Sequence, residues 1–457
     1  MIILGTNSIK DTGYDVANSC RFESAQLLRT NTSASATNID KYTVSVWVKR
    51  SKLGVDSNII ADTSGSSEYY QIYFKSDDTI RWQEYHASGE SGALITNRKF
   101  RDVSAWYHIV CRYDSSLGTA GDRMRMYVNG VEETSFATDV NPAQDANGHF
   151  GESSSQKCIA DNNSDAREYF GYMCEFMGVD GQSLAPTEFG EFDEDSGIWK
   201  PIDISGITQG VHGFYLKFED SSDLGVATLG SNWTGAGLAA TDQSLDTCTN
   251  NHAVGNPLLN YNPQLTEGNL VLTSSGTAWK NSMSTIGVTS GIWYHEVKIT
   301  AESAVPYGLI GVTDSYHPNS WGASPPNYLG IGALQIGYYN DNGTYYQNDG
   351  QQSYSGNGFG VNDTIGVLLN LDAGTPTIKF YKNDADQGAI NLPTNSNSTG
   401  LWFFMQSMYI STCSVNYGSP AHAISSGNQD GNGWGNFEYA TKGGYALNTK
   451  NLAEFGG

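Results

Sequence analysis

Basic residues are scarce in this chain of 457 residues: 25 Lys and Arg stand against 48 Asp and Glu, a formal charge of −23. Such a surface repels a phosphate backbone and anionic lipid, so neither nucleic acid binding nor membrane insertion is expected. Long apolar runs are missing too, and no stretch approaches the roughly 18 to 20 residues that span a bilayer. The N-terminus, MIILGTNSIK, lacks the basic leader and apolar core of a secretory signal, so a soluble protein is expected, with any exit from a cell taking another route. The six cysteines (Cys20, Cys111, Cys158, Cys174, Cys248, Cys413) form no Cys-x-x-Cys pair. That spacing argues against a zinc ribbon or a thioredoxin-type site and predicts reduced, structural thiols. Helical periodicity nowhere extends beyond a turn or two.

What is present points to strands. Charged residues make up 16% and aromatics 12%, with 52 glycines and 27 tyrosines, the profile of a turn-rich all-β protein. Short alternating runs recur in the first half: YTVSVWVKR (42–50), YYQIYFK (69–75), TIRWQEY (79–85), WYHIVCRYD (106–114) and RMRMYVNGVEE (123–133). In the last of these, Asn129-Gly130 predicts a type I′-like hairpin. In NDTIGVLLNLDAGTPTIKFYKNDADQG (362–388), Ile365, Val367, Leu369 and Leu371 share one face of an extended strand. Ile378 and Phe380 repeat the pattern after a Gly- and Asp-containing loop, which reads as a hairpin. The length suggests two or three domains, and the architecture expected is a pair of antiparallel β-sandwiches.

The four aspartates of that hairpin could advertise chemistry. A glycosidase needs two carboxylates about 5 to 9 Å apart. Asp363 and Asp372, at the two ends of one strand, are held near ~30 Å apart at about 3.3 Å per residue, so all four are assigned to turns. Glu191-Phe192-Asp193 lacks a third acid at the spacing of an E-x-D-x-x-E glucanase strand. His108, His149, His212, His252, His295 and His317 are scattered, with no nucleophile motif beside them. No catalytic residue is therefore expected.

Two constellations suggest binding. Asp161, Asn163 and Asp165 alternate as the first ligands of a calcium loop do, although the later Gly and bidentate Glu are absent, and a plain polar loop is the alternative. Tyr316, Trp321, Tyr328, Tyr345, Tyr346 and Tyr354 lie among Gly, Pro, Asn and Ser, a composition that presents rigid rings with adaptable polar neighbours. The competing reading packs individual rings between the sheets.

The order VSVWVKRS, WYHIVCRYD, MRMYVNGVEE and YFGYMCEFMGVDGQSL resembles the laminin G-like, concanavalin A-like jelly roll over residues 18–185. GIWYHEVKIT, YGLIGVTD, IGYYNDNGTYYQNDG, the 362–388 hairpin and LWFFMQSMYISTCSVNYG resemble the successive strands of a SPRY domain over 261–420. The hairpin departs from that family at Asn362-Asp363 and Asn383-Asp384, both in turns. GFYLKFEDSSDLG and DTCTNN, within 186–260, resemble connectors in tailed-bacteriophage structural proteins. The chain then divides into an N-terminal segment (1–17), the jelly roll, an extended connector packing along it, the SPRY-like sandwich, and a Gly/Asn-rich tail (421–457) docking on that sandwich.

These resemblances imply a phage virion protein, a fibre or external appendage assembled in the host cytoplasm. They imply that it binds other virion proteins and a host-surface glycan or receptor. No cofactor is required on this reading; the laminin G likeness adds calcium near the rim as a candidate ion. A homo-oligomer is implied, a trimer by likeness to fibres, without a heptad stretch to enforce it. A capsid-decorating or tail-stabilising role and a polysaccharide depolymerase are the alternatives.

Overall fold

The computed structural model describes residues 9–65, 67–87, 89–162, 167–258, 264–315 and 328–456. The chain forms two compact units, one of Thr12–Thr249 and one of Asn250–Gly457 joined by the described residues up to Asp11.

In the first unit, alternation sets the inner face. Val44, Val46 and Val48 of the strand Lys41–Arg50 are buried together with Ile109 and Cys111 of Trp106–Asp114. They share a core with Ile60, Ile72, Trp82 and Leu94 of an antiparallel meander, Ser57–Gly65, Glu68–Phe74, Ile80–His86 and Gly89–Thr96. Each such side chain contributes about 1.5–3 kcal/mol by leaving water. Lys41–Arg50 pairs with Trp106–Asp114 on one side and Gly171–Asp180 on the other, so two antiparallel sheets enclose this core. Asn129 and Gly130 have φ of 50° and 76°, and Val128 pairs with Val131 across them, the geometry a two-residue I′-like hairpin requires.

Residues 186–249 complete this unit. Phe189, Ile204 and Tyr215 cover Val110, Met177 and Val179 on the outward face of the first sheet. Phe214–Leu216 pairs with Phe176–Gly178, Thr234–Ala236 with Leu27–Arg29, and Gln243–Ser244 with Ser19–Cys20. Two buried ion pairs fix the segment: Arg21 Nη2 to Asp242 Oδ1 at 2.9 Å and Lys49 Nζ to Asp246 Oδ2 at 2.6 Å.

The second unit is organised on two long strands, Ile292–Asp314 and Trp402–Asn416, paired from Glu296↔Asn416 to Asp314↔Trp402. The hairpin Thr364–Asn370 and Thr377–Lys382 extends the sheet, with Val297↔Ile365 and His295↔Val367 as partners. Ile365, Val367, Leu369, Ile378 and Phe380 are buried, as the alternation requires. The aspartates serve turns and ion pairs. Asp363 accepts from Gly360 N and Asn383 Nδ2, and Asp372 accepts from Gly291 N. Asp384 pairs with Lys442 and Asp386 with Lys379.

The C-terminal stretch is knitted into the same unit. Tyr445–Ala446 lies parallel to Trp293–Tyr294, and the buried Glu296 carboxylate accepts from Glu438 N and Tyr439 N. A two-turn helix, Thr449–Phe455, begins at Asn448, whose side chain accepts from Asn451 N. No disulfide links the six cysteines, and five of them are buried.

Candidate functional site: a ring platform on the second unit

On a strand, neighbouring side chains face opposite ways. In Ile292–Asp314, Tyr307 and Leu309 share a face, opposite Tyr409 and Ser407 of Trp402–Asn416; Leu309 also faces Tyr339 of Gln335–Tyr339. Tyr346, opposite Gly337, joins that face, whereas Tyr345, opposite Tyr338, is turned away from it. Trp279 immediately precedes Lys280–Met283, which pairs with Trp402–Asn416.

The result is a contiguous set of six half-buried rings. Trp279 lies 5.4 Å from Tyr328, 5.5 Å from Tyr409 and 6.4 Å from Tyr307, centroid to centroid. Tyr307 continues to Tyr339 at 5.9 Å, and Tyr346 closes the set at 5.3 Å from Tyr339 and 5.5 Å from Tyr328. Beneath them Met283, Leu309, Leu329, Phe403 and Met405 form a small buried core. The rings thus rest on a rigid floor.

The backbone is strained at this place. The pairing slips between Glu302↔Ser411 and Tyr307↔Tyr409, leaving Ile410 alone opposite four residues. Ile410 has φ of 52°, a left-handed conformation that costs a β-branched residue about 1–2 kcal/mol. Strain of this kind persists where the surrounding structure enforces it, and it concentrates at functional sites. The polar edge carries an acid: Tyr328 Oη donates to Asp349 Oδ1 at 2.6 Å. Burial, with Asp349 next, raises the Tyr328 phenol above its usual value, so it stays a neutral donor.

Of the six aromatics expected from the sequence, Tyr328 and Tyr346 lie on this platform. Tyr345 and Tyr354 form a separate pair at 6.0 Å, with Tyr354 packed on Tyr338 and Phe380 and its Oη donating to Gly388 O. Tyr316 and Trp321 lie outside the described residues. Loop composition gives no signal for Trp279, Tyr307, Tyr339 and Tyr409, which belong to strands or their ends. Alternation in SAVPYGLIG and MQSMYIST, with both registers known, would have found Tyr307 and Tyr409.

Asp161 is buried, with Arg29 Nη2 3.5 Å from its Oδ2, while Asn163 and Asp165 lie outside the described residues. Glu191 and Asp193 both pair with Lys200 at 3.4 Å, and Asp193 Oδ1 accepts from the Ser196 backbone and hydroxyl, a turn arrangement. His108 is structural: Trp199 Nε1 donates to its Nδ1, Ser45 lies at its Nε2, and burial pushes its imidazole down to about 3. His149 behaves oppositely. Burial pulls its imidazole down, but the hydrogen bond and charge of Glu84, with Glu68, raise it to about 9.

Residues 23–178 match the family model described as the concanavalin A-like lectin/glucanases superfamily, and residues 292–419 match the SPRY domain model. No curated protein matches the chain. Among solved structures, similarity is found to the SPRY domain of human HERC1 (18% identity, 35% of this chain and 96% of that one, TM-score 0.29). A human SPRY domain (18%, 34% and 94%, 0.26) and the heptameric SAP-like pentraxin from Limulus polyphemus (16%, 38% and 80%, 0.28) are also similar. The chain carries a laminin G-like, concanavalin A-like sandwich in its first unit and a SPRY domain in its second, two folds that commonly mediate recognition.

Proposed function

We propose that this chain is a recognition protein that binds a neutral carbohydrate on the platform of Trp279, Tyr307, Tyr328, Tyr339, Tyr346 and Tyr409. The observation that carries this reading is the continuity of six half-buried rings on one sheet face above a packed floor. Tyrosine and tryptophan offer an apolar face for the C–H surface of a sugar ring and a polar edge for its hydroxyls. The Asp349 carboxylate at its edge disfavours an anionic saccharide.

The setting that fits the sequence is an external appendage of a tailed phage, supported by the likeness of 186–260 to phage connectors. There the ligand is a glycan of the host envelope, and many copies on one particle multiply individually weak contacts. The test is an array of bacterial surface glycans probed with the full chain. Retention of neutral glycans that is lost in the Trp279→Ala/Tyr409→Ala double variant supports the reading. Retention unchanged in that variant, or no glycan retained, overturns it. Immunogold labelling of particles tests the setting separately, with label expected on an appendage; label across the capsid, or none on particles, contradicts it.

A further inference from the structure

In the first unit, the meander brings a carboxylate and a histidine to one rim. Tyr70 pairs with Glu84 and Tyr69 with Tyr85, so Glu68 and His86, two residues beyond Tyr70 and Glu84, fall on the face that those two share. His149, 81 positions along the chain from Glu68, comes in over them. Its Nε2 lies 2.8 Å from Glu68 Oε2 and 3.7 Å from Glu152 Oε2, and His86 Nδ1 lies 3.4 Å from the same Glu68 oxygen. The imidazole centroids are 4.1 Å apart. Among the described residues, Glu68, His86 and His149 form a group whose potential ligand atoms all lie within 4.8 Å of one another.

We propose that Glu68, His86 and His149 hold one divalent transition-metal cation, of the kind represented by Zn²⁺, with solvent completing its coordination. Donors about 2.0–2.2 Å from a tetrahedral ion stand roughly 3.4 Å from each other, and Glu68 Oε2 lies 2.8 Å from His149 Nε2 and 3.4 Å from His86 Nδ1. Two imidazoles with a carboxylate suit zinc and its neighbours, whereas calcium takes six to eight oxygens.

The partners behind the histidines argue for a built site. The remaining nitrogen of each ring is engaged: His149 Nδ1 lies 3.1 Å from the fully buried Glu84 Oε2, and His86 Nε2 lies 3.1 Å from the Asn147 carbonyl. A carbonyl can only accept, so His86 donates from Nε2 and Nδ1 is the atom that faces Glu68. A carboxylate or carbonyl behind a ligating imidazole is the arrangement that fixes tautomer and ring orientation in metal sites. Glu84 is itself held, accepting from Tyr42 Oη and His149 N. Glu68 Oε1 accepts from Ala87 N at 2.9 Å, leaving Oε2 for the ion. Binding replaces the proton on His149 Nε2 with the metal. His149 is 2% exposed while His86 and Glu68 are 28% and 35% exposed, so an ion enters from solvent onto a buried anchor.

The test is calorimetric titration of the full chain, stripped with a chelator, with zinc sulfate. One saturable site per chain is expected. His86→Ala and Glu68→Gln, both at the solvent edge, each weaken it by about 10-fold or more. His212→Ala, a histidine of the same unit outside the cluster, leaves it unchanged. Loading with Co²⁺ gives a visible absorption band that His86→Ala alters. No saturable site, an affinity indifferent to both substitutions, an equal loss in His212→Ala, or displacement of Zn²⁺ by equimolar Ca²⁺ would each overturn the proposal.

Discussion

Glu175 converts a strand irregularity into a pH dependence that can be measured. It sits in Gly171–Asp180 with φ of 48°, where the pairing with Lys41–Arg50 slips between Cys174 and Met177. The bulge leaves its carboxyl 3% exposed, with Tyr14 Oη 3.2 Å from Oε2 and Tyr215 Oη donating to the same oxygen. Burial raises its pKa from 4.5 to about 7, against the opposing hydrogen bonds from the two tyrosines and the charge of Lys217. The folded pKa therefore lies above the unfolded one. Below 4.5 both states hold the proton and the stabilisation is complete. As pH rises through the interval up to about 7, the unfolded state ionises while the native state keeps its proton, and stability is lost at about 1.4 kcal/mol per pH unit. The full loss is about 3 kcal/mol on this account. Glu175→Gln keeps the shape and cannot ionise. Urea denaturation of both proteins from about pH 4 to about pH 8.5 should show the variant gaining about 3 kcal/mol on the wild type, nearly all of it before pH 7. Subtracting the two curves cancels the other titrating groups. A difference that stays constant across that range would refute the reasoning.

Three other perturbations test the packing and the sites. Asp246→Ala strands the buried Lys49 ammonium and removes the acceptor of Trp106 Nε1, so the first unit should lose about 3–5 kcal/mol by chemical denaturation. Gly130→Ala places a Cβ 2.3 Å from the Trp199 ring at a φ of 76°, and thermal melting should register a loss of about 1–3 kcal/mol. Excess Zn²⁺ should raise the melting temperature of the wild-type first unit but not that of His86→Ala.

The folds were legible because their strongest signals are local. Asn129-Gly130 between alternating strands, and the 362–388 run with its Gly- and Asp-bearing loops, each encode a hairpin within about 25 residues. The assignment of the hairpin aspartates to turns follows from the same alternation. The platform was only partly legible. Tyr328 and Tyr346 stood out by the composition around them, but Tyr307 and Tyr409 meet through a register that spans about 100 residues and is interrupted by the bulge at Ile410. Tyr345 and Tyr346 are adjacent in sequence and face opposite ways, which composition cannot resolve. The Glu68–His86–His149 cluster was invisible for a related reason: its members come from two strands and a loop, and no spacing rule links them. Residues 186–260 read as a connector because the strands within 186–249 are only two or three residues long. Their attachment depends on single buried charges, Asp242 and Asp246, that look like any other acid in an acidic chain.

The most direct test of the account is the affinity of the full chain for the neutral glycan best retained on the array, measured alongside Trp279→Ala, Tyr409→Ala and Tyr345→Ala. Removing a platform ring should weaken binding by about 10-fold or more, with each variant still folded by circular dichroism. Tyr345→Ala, on the strand of Tyr346 but on its opposite face, should bind as the wild type does. Equal affinity in all four proteins would contradict the assignment of the rings as the binding surface.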